Sequence, residues 1–329
     1  MNNIKKIGLT ALAGSLVATS VYAADMTVSG SASMTVEGYS STALNAGKSF
    51  SMGNQLDFAG SGELDNGMTV SLAFTLDQND DKAADDQTTA GSYNSGTPFD
   101  SHSVTVSSDA MGTIKFHGEG GSSAQAAIDG TAAGDMWDNF DGTTTGTAVE
   151  TSASSNNMIV YTLPAMVDDL SVSASYTPQG ATGEASTSYA ATYTGVEGLS
   201  VSYGYGDENT GTSTTDTDTT TMKASYAYSS VTVAYTNNDH SSAVADSDQE
   251  TTSYNISYTV SDAISIGYGS ETIELENDAQ DAEFDGFNIS YTAGGMTVTA
   301  AMQEATDALH GTTDAEDQEY WSLGLSFAF

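Results

Sequence analysis

Apolar and polar residues alternate with period two along most of this chain. The last stretch shows it most cleanly. Trp321, Leu323, Leu325, Phe327 and Phe329 fall on one face, and Ser322, Gly324, Ser326 and Ala328 on the other. Such alternation predicts a strand with one apolar face. In a soluble domain this strand would be an exposed sticky edge, which natural proteins avoid. In a membrane barrel it pairs with the first strand and turns its apolar face to lipid.

The same pattern predicts a first strand over residues 26–39. Met26, Val28, Met34 and Val36 share one face, and Thr27, Ser29, Thr35 and Glu37 the other. A second strand over residues 49–63 turns Leu56 and Phe58 outward and Gln55 and Asp57 inward. Asn66-Gly67 then supplies the positive φ of a tight hairpin turn. Further short turns are predicted near residues 110, 167, 197, 230, 262 and 294, and counting strands between them gives sixteen. Long polar segments, near 78–101, 119–155, 206–219, 237–250, 270–283 and 303–317, carry most of the acids. Short turns on one rim and long loops on the other are the asymmetry of outer-membrane barrels. Tyrosines crowd the strand ends as aromatic girdles do, and the non-apolar face is Ser, Thr, Gly and Asn, as in a wetted lumen. The expected fold is therefore an all-β, 16-stranded antiparallel transmembrane β-barrel. The competing architecture is a soluble solenoid or sandwich, which would make this a secreted or surface-attached structural β protein.

Residues 1–23 are expected to be removed. Lys5 and Lys6 precede a mostly apolar stretch, and Val21-Tyr22-Ala23 offers a cleavage site, the pattern of a secretory signal peptide. Residues 24–329 then form the barrel domain. No later segment approaches the ~20 apolar residues of a membrane-spanning helix, which says nothing against spanning strands. The chain has no cysteine, so neither disulfides nor thiolate metal sites can form. All six basic residues are lysines, and only Lys48, Lys82, Lys115 and Lys223 remain after the signal, against 44 acids. A chain this acidic is not expected to bind nucleic acid.

Residues 119–155 break the strand spacing, and an insertion of this length is commonly functional. Residues 122–128 are expected to make a helical turn, with Trp137 and Phe140 anchoring the segment to a wall. Oxygen-rich loops, Asp138 and Asp141 among them, are candidates for weak calcium binding without the twelve-residue EF-hand spacing. No other cofactor is expected. His102, His117, His240 and His310 are scattered, and no Ser-His-Asp context is recognisable, so neither a transition-metal site nor catalysis is expected.

Several motifs, in order along the chain, resemble the trimeric general porins of Gram-negative bacteria, especially alphaproteobacterial members. Met-Gly-Thr-Ile-Lys-Phe at 111–116 looks like that family's fifth strand. Asn-Met-Ile-Val-Tyr-Thr-Leu-Pro at 157–164 is similar to the sixth strand and its turn, and Gly-Glu-Leu-Asp-Asn-Gly at 62–67 resembles the first periplasmic turn. Phe329 matches the terminal aromatic, which implies a signal read by the barrel assembly machinery. The resemblance implies that residues 119–155 fold inward as a constriction loop bearing Glu119, Asp129, Asp135, Asp138, Asp141 and Glu150. Family members commonly set an arginine cluster on the opposite wall. This sequence has no arginine, and Val160 stands where an inward basic residue would often be. Lys115 and Lys223 are the expected wall cations, with His117, Glu37 and Asp57 also facing the lumen. Fixed carboxylates around a narrow water passage between low-dielectric walls focus a negative potential that enriches cations. The implied protein is a homotrimeric outer-membrane porin, in contact with outer-membrane lipid and lipopolysaccharide. It passes small hydrophilic solutes and ions passively with a cation preference. A substrate-selective channel is the alternative.

Overall fold

The computed structural model describes residues 25–40, 47–77, 100–140, 149–152, 156–178, 185–209, 216–276, 278–308, 310 and 317–329. The expected signal peptide lies outside them. Within them run β1 (Asp25–Tyr39), β2 (Gly47–Glu63), β3 (Thr69–Asp77), β4 (Ser101–Ser108) and β5 (Gly112–Glu119). After a long loop come β6 (Met158–Thr162), β7 (Leu170–Thr177), β8 (Ser186–Val196), β9 (Leu199–Glu208), β10 (Thr217–Tyr228) and β11 (Val231–Ser242). The chain finishes with β12 (Gln249–Ser261), β13 (Ile264–Leu275), β14 (Ala282–Ala293), β15 (Met296–Thr306) and β16 (Gln318–Ala328). Each strand pairs antiparallel with its sequence neighbours, and β1 pairs with β16, so the sheet is a closed barrel. Closure is what lipid demands, because an unpaired edge there has no water to satisfy it.

The seam is set by the first and last strands. Ser31 lies opposite Ala328 and Tyr39 opposite Tyr320. One step further, Gly30 and Phe329 exchange both backbone hydrogen bonds, N–H to O, at 2.8 and 3.0 Å. The alternating apolar face points outward all round. Met26 is 73% exposed, Phe287 66% and Met302 71%, values that only a surrounding apolar medium makes tolerable. Lumen-facing positions carry polar side chains that bond one another across strands. Ser49 Oγ donates to Glu37 Oε1 (2.7 Å), and Thr75 Oγ1 and Gln55 Nε2 both donate to Asp57 Oδ1 (2.8 Å each). The barrel wall is one layer thick. Its buried apolar cluster therefore forms where the long loop between β5 and β6 meets the inner faces of β13 to β16.

The seam is tightly packed on its outer side. A Cβ added to Gly30 would meet the Phe329 ring at 2.8 Å and Leu56 Cδ2 at 2.9 Å. Gly30→Leu is expected to cost about 1–3 kcal/mol through overpacking. The temperature at which the folded band converts to the unfolded band in heat-modifiable electrophoresis should fall. An unchanged transition would show that the seam accommodates the side chain.

Candidate constriction loop and pore wall

The loop leaves β5 at Gly120, whose φ of 66° is left-handed. From there it follows the inner wall strand by strand. Ala124 N donates to Ser175 Oγ on β7 at 3.1 Å, and Gln125 N to Ser188 Oγ on β8 at 3.2 Å. Gln125 Nε2 reaches Thr221 Oγ1 on β10 at 2.7 Å. Asn238 Nδ2 on β11 donates to Asp129 O at 2.9 Å, and Lys223 Nζ on β10 donates to Gly130 O. Ala133 N meets Ser253 Oγ on β12 at 2.8 Å, and Trp137 N meets the buried Glu271 Oε1 on β13 at 3.2 Å. Finally Asn139 Nδ2 donates to Gln303 Oε1 on β15, and Tyr39 OH on β1 to Asn139 O, each at 2.8 Å. The loop thus covers the wall from β7 round to β1. None of these bonds runs to β2 to β6.

Two kinds of packing seat it. The first is apolar. Residues 136–139 form a single 3-10 turn that buries Met136, and Phe140 follows at 2% exposure. The Phe140 ring lies 5.6 Å from Phe284 and 6.1 Å from Tyr320, with Ile273 and Ala305 in the same cluster. The second is close backbone approach. A Cβ on Gly204 of β9 would lie 2.9 Å from Ile128 Cδ1 and 3.2 Å from Gln125 Cα. On β14, a Cβ on Gly286 would lie 3.0 Å from Met136 Sδ. At these two positions the wall lacks a side chain and the loop lies close against it.

The returning arm, residues 149–152, is clasped to the outgoing one. Ser152 N donates to Gln125 Oε1 at 2.9 Å, Thr151 Oγ1 donates to Asp129 Oδ2, and Glu150 N to Gln249 Oε1 at 2.8 Å. Asp135 has φ 54° and makes a reciprocal pair with Thr131. Its Oδ1 accepts Thr131 N–H at 2.9 Å, and its own N–H donates to Thr131 Oγ1 at 2.7 Å. Burial pushes the Asp129 carboxyl up from its ordinary value. The Thr151 hydroxyl opposes the rise, neighbouring Asp135 adds to it, and the Lys223 ammonium opposes it again.

The structure thus brings Asp129, Asp135, Asp138 and Glu150 onto one inward loop, with Asp138 and Glu150 exposed. Asp141 lies outside the described residues. Glu119 is placed elsewhere. It ends β5 across a bulge and faces His102, carboxylate to Nδ1 at 4.0 Å, so it belongs to the wall's edge rather than the inward segment. Lys115 and His117 lie in the inward rows of β5, with Val160 opposite Lys115 on β6. Glu37 and Asp57 face the lumen. Lys223 faces inward but ends in the loop. Among the described residues, no group of three or more His, Asp or Glu is placed to hold a metal ion. Residues 123–128 make hydrogen-bonded turns (Ala127 N to Ser123 O at 3.0 Å) where a helical turn is expected. Sequence reasoning passed over Met136 and the lumen-facing glycines. The glycines carried a readable signal, since Gly204 and Gly206 sit at alternating inward positions of one strand.

Two substitutions separate the loop from the wall. Phe140→Ala removes a fully buried ring, a loss of about 3–5 kcal/mol for such sites. Because the ring fastens the loop to β14 and β16, single-channel conductance and open-channel noise should rise and the heat-modifiable transition should fall. Gly204→Val inserts atoms between wall and loop and should lower conductance by displacing the loop toward the passage.

A family model of Gram-negative porins matches residues 8–292. Among solved structures, a loop-deletion form of OmpT, an outer membrane protein of Vibrio cholerae, aligns over 93% of this chain and all of its own, at 15% identity and a TM-score of 0.70. Two substituted forms of the Rh. blastica porin align over the same shares, at 15% and 16% identity, with TM-scores of 0.65 and 0.64. No curated protein matches the chain in sequence. At these identities the structures show the fold, and the family model carries the assignment: the chain belongs to the Gram-negative porin family and forms an outer-membrane channel.

Proposed function

We propose that this channel passes small hydrophilic solutes and ions by passive diffusion, prefers cations, and works as a homotrimer. One observation carries the cation preference: the inward loop bears carboxylates, while cations are scarce around it. Lys115 and Lys223 are the lysines on lumen-facing positions among the described residues, and Lys223 ends against Gly130 O. Lys48 lies on the outer face, its ammonium 5.8 Å from the Trp321 ring centroid. Carboxylates beside a narrow passage focus a negative potential, most strongly at low ionic strength.

The distribution of aromatics supports the trimer. Outward tyrosines run from Tyr161 on β6 to Tyr291 on β14, whereas the outer faces of β1 to β5 carry Val, Met, Leu and Phe without Tyr or Trp among the described residues. Tyr and Trp mark membrane–water boundaries. A sector without them suits contact with neighbouring copies better than contact with lipid headgroups. The 73% exposed Phe329 supports its reading as the assembly signal. Contact with lipopolysaccharide and weak calcium binding at Asp138 and Asp141 belong to the same proposal.

Reversal potentials in planar bilayers under a KCl gradient should report potassium over chloride, and Asp135→Asn with Asp138→Asn should reduce that ratio. A chloride-selective wild type would overturn the cation preference while leaving the channel intact. The pH dependence has a defined sign. Asp129 is a carboxyl whose folded-state value is raised by burial, so on acidification it loses its charge earlier than an ordinary aspartate would. Asp129→Asn should remove the part of the acid-induced fall in cation selectivity that comes from this raised group. By linkage, the folded protein holds this proton more tightly than the unfolded chain does, so protonation of Asp129 adds stability rather than removing it.

A further inference from the structure

The geometry points to Lys223 as a positioning residue for the constriction loop, its ammonium committed to the loop's turn and withdrawn from the pore wall. Lys223 stands on β10 between Ser202 of β9 and Thr236 of β11, in an inward row. Its Nζ donates to Gly130 O, and the preceding carbonyl, of Asp129, accepts Asn238 Nδ2 at 2.9 Å. Two successive loop carbonyls are thus held by two adjacent strands. A Cβ placed on Gly130 would lie 3.6 Å from Asp135 Oδ2 and 3.9 Å from Lys223 Nζ, so the ammonium and a loop carboxylate share one small volume. The Asp129 carboxylate also feels the Lys223 charge and is bonded on its other side by Thr151.

Asn238 is itself fixed. Its Oδ1 accepts Thr221 Oγ1 at 2.6 Å, and Thr221 accepts Gln125 Nε2 at 2.7 Å. Lys223 therefore closes a hydrogen-bonded buckle that joins the wall, the outgoing arm at Gln125 and Asp129, and the returning arm at Thr151. A charge-assisted bond of this kind is stronger than a neutral one. Its loss removes the positive charge that favours the ionised Asp129 and leaves the opposing effect of Asp135 in place. Lys223 then acts on permeation through the loop: it holds the turn that sets the opening and neutralises part of the carboxylate charge there. The lumen's remaining lysine among the described residues, Lys115, stands on β5 between Thr105 of β4 and Val160 of β6.

This inference rests on the channel reading but not on the sign of its ion selectivity, and the first test is indifferent to selectivity. The folded full-length protein is treated with a water-soluble acetylating ester. Acetylation of Lys115 and Lys223 is followed by peptide mass spectrometry, with the urea-unfolded chain as the reference for intrinsic reactivity. Relative to that reference, Lys223 should be slowed about tenfold or more compared with Lys115, as a hydrogen bond to a charged group implies. Equal protection of the two lysines overturns the assignment. In planar bilayers Lys223→Met should show several times the open-channel noise of wild type with frequent brief closures, and Lys223→Arg should restore a quiet channel. If Lys223→Met is as quiet as wild type and only shifts the reversal potential, as Lys115→Met does, Lys223 is a wall charge and the proposal fails.

Discussion

The structure depends on one constraint: in hydrocarbon, every backbone N–H and C=O must find a partner within the protein. Sixteen strands meet it only because β16 pairs with β1. Closure then dictates the sequence pattern. Alternate side chains must face lipid, so Val28, Ile256 and Leu323 are exposed and apolar. Their neighbours must face water, so Ser29, Asn255 and Ser322 are polar. The outer apolar face is a solvent-matching surface rather than a core, which is why the compact apolar cluster lies inside the lumen.

Inside, the same constraint returns in a different form. The loop from Gly120 onward has no ladder to join, yet much of its backbone is removed from water. The wall's polar side chains supply the partners. Ser175, Ser188, Ser253, Glu271 and Gln249 accept loop N–H groups, while Tyr39, Asn238 and Lys223 donate to loop carbonyls. A lumen that reads as uniformly wetted is therefore divided: the arc from β7 round to β1 grips the loop, and β2 to β6 supplies none of these bonds. Electrostatics follow from that division, since Lys223 is on the gripping side.

Much of this was legible in the sequence because period two needs only nearest neighbours. The strands, their turns and the pairing of the last strand with the first emerge from alternation alone. The loop's anchor was partly legible, since Phe140 in an acidic, Gly-rich segment has few places to go. What escaped depends on contacts distant in sequence or on single-residue irregularities. Glu119 was expected on the loop, but a bulge between His102 and Ser103 shifts the register and leaves it facing His102. One extra residue changes a side chain's position without altering composition. Alternation points Lys223 inward, yet its partner is a carbonyl 93 positions away. Alternation gives a direction, not a destination. Met136 looked like one more loop residue until the 3-10 turn aimed it at the wall.

The division of labour along the loop bears on how such a channel can change over generations. Residues that hold the loop, such as Gln125, Met136 and Phe140, are buried against the wall and answer to several partners at once. Asp138 and Glu150 sit on exposed positions of the same segment. A lineage can therefore exchange the exposed charges of this segment, one codon at a time, while the fastening beneath them stays in place. Change at these exposed charges and change in the buried fastening then fall largely on different residues, Lys223 being a point where the two meet.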